Sequence, residues 1–363
     1  RIAGTDQKER IPRSYSTQMQ VMINTLNDIR TSDKQISGTH GIGVLMANSL
    51  MFQRFPDHNG YDDPQFSSFY GQTLPLLKRG IPVELVHMEN TPFKDTFNGL
   101  QVLVMSYSNM KPMKSEYHNY LADWVKKGGT LVYCGEDVDP YQTVLEWWNT
   151  EGNAYKAPSE HLFEAMGLSR NPGDGTYRFG KGTVIVMRED PKHFVLKGGN
   201  DRKYFETIAS AYESKTGKKI EIKNNFMVER GPYTIAAVMD ESSSKEPLKL
   251  SGLYIDLFDK DLPVLTVKQI NPGEKGCLYD LNKVSGKVKA KVLCGASRIY
   301  DEKVGKQSYS FVAKSPLHTT NVSRVLLPRK PGKVLVNGKA EQPEWNESSK
   351  TLLLSFENDP AGV

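Results

Sequence analysis

The chain has 363 residues, a formal net charge of +5 and 38% hydrophobic residues, which is typical of a globular protein with two or three domains. No apolar run approaches the roughly 18 residues of a membrane-spanning helix, and the 47 Lys and Arg residues are scattered among 42 acidic ones rather than gathered into a stripe. We therefore expect no membrane segment and no nucleic acid partner.

The first predicted element is an amphipathic helix that begins near Pro12. Its apolar positions follow the helical period: Met19, Met22, Ile23, Leu26 and Ile29. An apolar face has to pack on something, and the linker at 32–41 separates the helix from the next element. We therefore assign residues 1–36 to the exit helix of a preceding domain and its linker.

From residue 37 to 219, short apolar runs alternate with helices. The predicted strands are 42–46, 83–88, 102–105, 130–133 and 182–187, and the predicted helices are 67–79, 115–127, 160–168 and 204–215. Such alternation is typical of a parallel sheet with helical crossovers. We predict an α/β domain with a doubly wound, flavodoxin- or amidotransferase-like parallel sheet.

From residue 220 to 363, the sequence predicts strands alone. The runs are 233–239, 253–258, 264–270, 276–281, 288–296, 308–312, 322–327, 333–336 and 351–356. They recur at roughly ten-residue spacing with Gly, Pro and Asn between them, as in all-β sandwiches. We predict a β-sandwich domain.

Both ends of the sequence lead to the expectation of a longer protein. It begins at Arg1 with neither an initiator Met nor a signal peptide. After the last predicted strand comes Asp359-Pro360-Ala361-Gly362, a turn that normally leads into another strand. We expect either a piece of a longer chain or a missing terminal strand.

Ligands of open parallel sheets bind outside the carboxyl ends of the strands. The loops there are unusual, above all the long connection at 48–66, since loops of that length are usually functional or disordered. The candidate binding residues are Asn48, Phe52, Arg54, Asp57, His58, Asp62, Asp63, Tyr107, Asn109, Glu136, Asp137, Asp139, Tyr141, Trp147 and Trp148. Aromatic rings beside Asp, Asn and Arg suit a polyhydroxylated ligand, so the expected partner is carbohydrate.

Several of these candidates also have a structural interpretation. Glu136, Asp137 and Asp139 could form an acid/base set, but an Asp before Pro140 also serves as a turn former and helix cap. Of two adjacent tryptophans on a helix, one normally belongs to the core. The acidic residues at 57–63 resemble a calcium loop only loosely, and no histidine pair has metal-ligand spacing. We predict no metal and no cofactor.

Cys134 follows a strand, in an arrangement that resembles class I glutamine amidotransferases, where the cysteine lies in Gly-x-Cys-x-Gly. The sequence here, Val132-Tyr133-Cys134-Gly135-Glu136, lacks that glycine pattern, and no downstream His-x-Glu is present. A buried, inert thiol is therefore favoured, with Cys134 as the minor candidate for a catalytic residue. Cys277 and Cys294 lie in apolar runs, so we predict that they are buried and act as small apolar residues.

The order of elements resembles the non-catalytic C-terminal region of family 42 type glycoside hydrolases of the β-galactosidase group. The matching segments are the helix at 9–29, the strand at 42–46, YGQTLPLLKRGIPV at 70–83, LADWVKKGGTLV at 121–132 and GKGTVI at 180–185. The resemblance covers residues 9–215, and the sandwich only by architecture. It implies a preceding catalytic barrel, an amidotransferase-like trimerisation domain and a homo-oligomer. The catalytic glutamates of that family lie in its barrel, so no catalytic residue carries over.

We therefore expect the C-terminal portion of a carbohydrate-active enzyme, inactive by itself, which supports oligomerisation and completes a sugar-binding site. One alternative is a stand-alone carbohydrate-binding or interaction module. A second is a thiol hydrolase or amidotransferase-like enzyme acting through Cys134. For the compartment, we favour a periplasmic or extracellular location over a cytoplasmic one.

Overall fold

A computed structural model describes residues 12–29, 33–52, 66–196, 198–284 and 289–363. Within these ranges the α-helices are α1 (Arg13–Ile29), α2 (Ser67–Leu77), α3 (Tyr117–Lys126), α4 (Pro158–Ala165), α5 (His193–Leu196) and α6 (Arg202–Thr216). No helix among the described residues is both long enough and apolar enough to span a membrane.

The strands of the described ranges complete a mixed α/β chain with several sheets, as the sequence predicts at that level. They are β1 (Lys34–Ile36), β2 (Ile42–Met46), β3 (Glu84–His87), β4 (Val102–Met105), β5 (Thr130–Cys134), β6 (Gly175–Phe179), β7 (Gly182–Met187), β8 (Asn225–Arg230), β9 (Tyr233–Val238), β10 (Leu248–Asp256), β11 (Val264–Ile270), β12 (Lys275–Asp280), β13 (Lys291–Gly295), β14 (Arg298–Val304), β15 (Tyr309–Lys314), β16 (Thr320–Leu326), β17 (Val334–Val336), β18 (Lys339–Glu341), β19 (Glu344–Asn346) and β20 (Thr351–Glu357).

The described residues form two compact units. The α/β unit comprises those of Gly38–Asn224 and Ser242–Ser244. The β unit comprises those of Arg1–Ser37, Asn225–Glu241 and Lys245–Val363. Strand β1, which precedes the α/β unit in the chain, belongs to the β unit because it pairs with β8.

The α/β unit is built on one sheet in the order β3-β2-β4-β5-β7-β6. All neighbours are parallel except β6, which runs antiparallel to β7. In β4, Leu103 packs in one core cluster with Leu121 of α3, while Val104 packs in another with Ile208 of α6. Such burial on both faces explains why the central strands are continuous apolar runs rather than alternating ones.

The β unit holds a six-stranded sheet in the order β1-β8-β9-β12-β10-β11 and a four-stranded sheet in the order β13-β16-β20-β19. Two further two-stranded sheets, β14-β15 and β17-β18, complete it among the described residues. All of these pairings are antiparallel. One core cluster draws on α1 and both larger sheets, with Val21, Ile255 and Val322 among its members.

Helix α1 lies in the β unit, whereas the sequence assigned it to a preceding domain. Thr17 Oγ1 donates to the Thr320 carbonyl at 3.0 Å, and Asn24 Nδ2 donates to the Gly295 carbonyl at 2.9 Å. Polar side chains therefore bind the helix to backbone carbonyls of the strands. The spacing of apolar residues in the sequence gives no sign of such bonds. Of the five apolar positions predicted for its packing face, only Ile29 is buried, while Met19, Ile23 and Leu26 are exposed.

Candidate functional site

The carboxyl ends of the parallel strands lie together, and the described residues of the loops that follow β2, β4, β5 and β7 form what we call the sheet edge. Five predicted binding residues lie outside the described residues: Arg54, Asp57, His58, Asp62 and Asp63. Phe52 ends a 3-10 helix at Asn48–Phe52, and its side chain also lies outside the described part of the chain.

Asp139 forms a buried ion pair with Lys111. The Lys111 ammonium lies 3.0 and 2.8 Å from the two carboxylate oxygens. Asp139 also accepts a 3.0 Å bond from the Tyr141 amide and a 2.9 Å bond from Gln142 Nε2, so it caps the 3-10 helix Pro140–Thr143. The pair thereby fastens the loop after β4 to the loop after β5.

Asp137 is held by three side chains from three parts of the chain. It accepts hydrogen bonds from the Tyr133 hydroxyl, from Ser159 Oγ at 2.7 Å and from Arg188 Nη1 at 2.7 Å. Arg188 comes from the loop after β7, and its guanidinium carbon lies 5.1 Å from the Phe163 ring centre. This carboxylate is committed to charge-assisted bonds that order the edge.

A line of hydrogen-bonded rings runs from the core towards the surface. The Tyr107 hydroxyl lies 2.6 Å from His118 Nε2, and His118 Nδ1 lies 2.8 Å from His161 Nδ1. Burial, followed by the charge of His161, lowers the pKa of His118 well below its ordinary value. Burial raises the pKa of Tyr107, with Asp137 adding to the effect. Both bonds form with neutral imidazoles when Tyr107 donates to Nε2 and His118 Nδ1–H donates to His161.

The remaining candidates divide into buried and exposed side chains. Tyr141, Trp148 and Asn109 are buried, and Asn109 Nδ2 donates to Ser68 Oγ at 3.2 Å. Trp147 is half-buried, and its indole N–H donates to the Pro112 carbonyl at 2.9 Å.

Asn48 and Glu136 are the exposed candidates among the described residues. Exposed apolar side chains occur in the same loops: Met113, Val138 and Leu145. The surface of the sheet edge thus combines polar and apolar side chains, and the ion pairs beneath it are largely buried.

Cys134 ends β5 and is fully buried, with its sulfur 4.0 Å from that of Met187. Burial raises its pKa far above the ordinary thiol value, and nearby acids such as Glu189 raise it further. A thiolate nucleophile requires the opposite conditions, a lowered pKa and access to substrate. Among the described residues, no group of three or more His, Cys, Asp or Glu side chains is placed to hold a metal ion.

Sequence reasoning did not select Lys111, Arg188, His118 or His161. Their partners lie 28, 51, 11 and 43 residues away, respectively. The only available signal was Lys111 itself, a lysine in an otherwise uncharged stretch directly after an apolar strand.

No protein-family profile matches the sequence, and no curated protein is similar to it in sequence. Similar solved structures include a β-galactosidase from Bacillus circulans sp. alkalophilus, which is 10% identical with a TM-score of 0.41 over 67% of this chain and 42% of that one. A GH42 β-galactosidase from G. stearothermophilus is 13% identical with a TM-score of 0.39 over 67% of this chain and 40% of that one.

The β-galactosidase from Rahnella sp. R3 is 12% identical with a TM-score of 0.38 over 67% of this chain and 41% of that one. The chain spans about two fifths of the length of these structures. The similarity to family 42 β-galactosidases is thus loose.

Proposed function

We propose that this chain is the non-catalytic C-terminal portion of a carbohydrate-active enzyme, with the sheet edge as an accessory sugar-binding surface. One observation supports a binding role over a chemical one. The two best acid/base candidates, Asp137 and Asp139, are bound to Arg188 and Lys111. A general acid or base has to reach the substrate within hydrogen-bond distance, whereas these carboxylates are committed inward.

Sugar binding would use the groups left at the surface. The Trp147 ring is half-buried against three other rings, and the part left at the surface would contact sugar C–H groups. Asn48 and Glu136 would offer hydrogen-bonding groups for hydroxyls. The buried ion pairs beneath hold these loops in place, which lowers the entropy cost of binding. Arg54, Asp57, His58, Asp62 and Asp63 lie outside the described residues and stay predicted binding residues.

A preceding catalytic barrel and a homo-oligomer are the proposed macromolecular partners. The outer face of α1 supports a neighbour of some kind, since Met19, Ile23 and Leu26 are all exposed there. Residues spaced by three or four positions lie on one side of a helix, so these side chains form an apolar stripe. A domain packed on α1 would bury it.

Calorimetric titration with galactosides and other glycans tests the sugar-binding role. We expect binding by the wild-type chain and a loss of about tenfold in Trp147→Ala, the size of effect that removal of an aromatic contact produces. Trp345→Ala is the matched control, because Trp345 is also a half-buried tryptophan whose N–H is bonded, but it belongs to the β unit. Absence of heat with every glycan contradicts the proposal.

Hydrolysis assays test the non-catalytic role separately. With chromogenic β-galactosides and related substrates, we expect the chain alone to give no turnover above a heat-denatured sample. Turnover that follows the folded protein through purification would show that the chain has its own catalytic groups. The reading frame upstream of Arg1 should also encode a barrel-length domain, and a stand-alone binding module would lack one.

A further inference from the structure

An open depression on the surface of the β unit, which we call the cavity, lies beside the first turns of α1. Its volume is about 510 Å³, which falls within the range of roughly 300–1,000 Å³ that small-molecule sites occupy. Helix α1 contributes Tyr15 and Gln18, the end of β10 and the loop after it contribute Asp256 and Phe258, and β11 contributes Lys268.

The wall formed by the β10–β11 loop is fixed by backbone and side-chain bonds. The Leu257 amide donates to the Cys277 carbonyl at 2.8 Å, and Gln18 Nε2 donates to the Leu257 carbonyl at 2.5 Å. Buried Arg324 donates through Nε to the Leu262 carbonyl at 2.8 Å. The cavity is therefore preformed, which reduces the ordering cost of binding a ligand.

Asp256 and Lys268 form an ion pair without net charge in the wall of the cavity. The Lys268 ammonium lies 2.6 Å from Asp256 Oδ2, with side-chain exposures of 25% for the lysine and 7% for the aspartate. Asp256 Oδ1 accepts the Phe258 amide at 3.0 Å. An ammonium has three donors and each carboxylate oxygen accepts more than one bond, so both groups retain hydrogen-bonding capacity.

Two aromatic side chains that line the cavity remain open to solvent. Tyr15 is 53% exposed and Phe258 is 45% exposed. Exposed rings beside a neutral set of donors and acceptors suit a ligand with apolar C–H faces and several hydroxyls. A strongly charged ligand is disfavoured, because the two acidic lining residues, Asp256 and Asp259, are offset by the two basic ones, Lys260 and Lys268.

We propose that this cavity binds a neutral mono- or disaccharide, with Tyr15 and Phe258 contacting the sugar ring and the Asp256–Lys268 pair bonding its hydroxyls. All of these residues belong to the β unit. Saccharide binding there does not depend on the sheet edge.

Titration of the full chain with galactose, glucose, mannose, lactose and cellobiose tests this site. We expect at least one of these sugars to bind, and Tyr15→Ala and Phe258→Ala each to weaken binding by about tenfold or more. Tyr300→Ala is the matched control: Tyr300 is 43% exposed, lies in the β unit and does not line the cavity. Because all three rings are exposed, circular dichroism should show each variant folded.

Trp147→Ala separates this site from the sheet edge. Binding that survives Trp147→Ala but is lost in Phe258→Ala supports the cavity, even where the sheet edge binds nothing. Binding that is lost in Trp147→Ala but kept in Phe258→Ala and Tyr15→Ala overturns the cavity proposal. Absence of binding by all five sugars, or tighter binding of glucuronate than of glucose, overturns it as well.

Discussion

The ammonium of Lys111 lies 2.8 Å from one carboxylate oxygen of Asp139 and 3.0 Å from the other. Their side chains are only 9% and 2% exposed. Two charges removed from water are stable only when each compensates the other and further bonds satisfy the rest. The Tyr141 amide and Gln142 supply those bonds to Asp139. The connection between the loops after β4 and β5 thus depends on this charge pair.

Removing one member of this pair should destabilise the α/β unit strongly. Lys111→Met leaves a buried carboxylate without its counter-charge, for which we expect a loss of about 3–5 kcal/mol in the free energy of unfolding. Urea unfolding followed by tryptophan fluorescence measures it, since three of the four tryptophans lie in that unit.

Lys114→Met is the matched control, because Lys114 pairs with Glu116 at 3.4 Å on the surface, where ion pairs contribute about 0–1 kcal/mol. The double variant Lys111→Met/Asp139→Asn removes both charges and should recover part of the loss. Equal effects of Lys111→Met and Lys114→Met would show that the buried pair has no special role.

The Tyr107–His118–His161 line makes stability depend on pH. Burial lowers the pKa of His118 well below 6.5, and burial also lowers the pKa of His161. The unfolded chain therefore binds more protons than the folded one below about pH 6.5. Stability is full above that pH and decreases as the pH falls towards the lowered folded-state values, by up to about 1.4 kcal/mol per pH unit for each histidine.

Unfolding midpoints between pH 5 and pH 7 should show this decrease, and His118→Gln should flatten it. His318→Asn is the control, since His318 is exposed in the β unit and Asn tolerates its positive φ of 61°. A profile for His118→Gln as steep as that of the wild type would assign the pH dependence to other groups.

The strands of the parallel sheet could be predicted where they are buried on both faces, because such strands consist of consecutive apolar residues. The predicted strands 102–105 and 182–187 are the observed β4 and β7. Strand β6 was missed because it is a short, mostly exposed, antiparallel edge strand in which only Tyr177 and Phe179 are apolar, too few to give a clear period. The start of β10 was missed for a related reason, since exposed and half-buried residues alternate from Leu248 onwards. Apolar content marks a strand only to the extent that the strand is buried.

The sequence predicted where the site residues lie on the sheet, but not which side chains they bind. Position after a strand placed Asp137 and Asp139 at the carboxyl edge, and Pro140 marked Asp139 as a helix cap. Nothing in the sequence links them to Arg188 and Lys111, which reach them through the fold. Such long-range partners decide whether a carboxylate is free to bind a ligand or is bound within the protein.

Cys134 should be unreactive in the folded protein. Burial raises the pKa of Cys277 and Cys294 to about 12, and that of Cys134 further still. Since only a thiolate reacts readily, mass spectrometry after iodoacetamide treatment at neutral pH should find no adduct in the native chain and three in guanidinium chloride. Lys114→Cys, with an exposed thiol, is the positive control. An adduct on Cys134 alone in the native chain would instead support the hypothesis that Cys134 is a catalytic thiol.

Gly71 should not tolerate the alanine that helices usually prefer. It lies within α2, where replacing glycine by alanine ordinarily stabilises a helix by about 0.5–1 kcal/mol. A Cβ added there would lie 1.8 Å from the Pro191 carbonyl oxygen, which is backbone and cannot turn away. Moving α2 off that carbonyl would open the core around Leu76. We therefore expect Gly71→Ala to lower the free energy of unfolding by about 1–3 kcal/mol, as overpacking does.

Gly173→Ala provides the matched control, because a Cβ at Gly173 would meet no atom within 4 Å. Its effect on the free energy of unfolding should stay within about 0.5 kcal/mol. Urea unfolding of the two variants beside the wild type measures both, and a stabilising Gly71→Ala would mean that α2 does not approach Pro191 so closely. A destabilising result ties helix α2 to the loop after β7, the loop that also delivers Arg188 to Asp137.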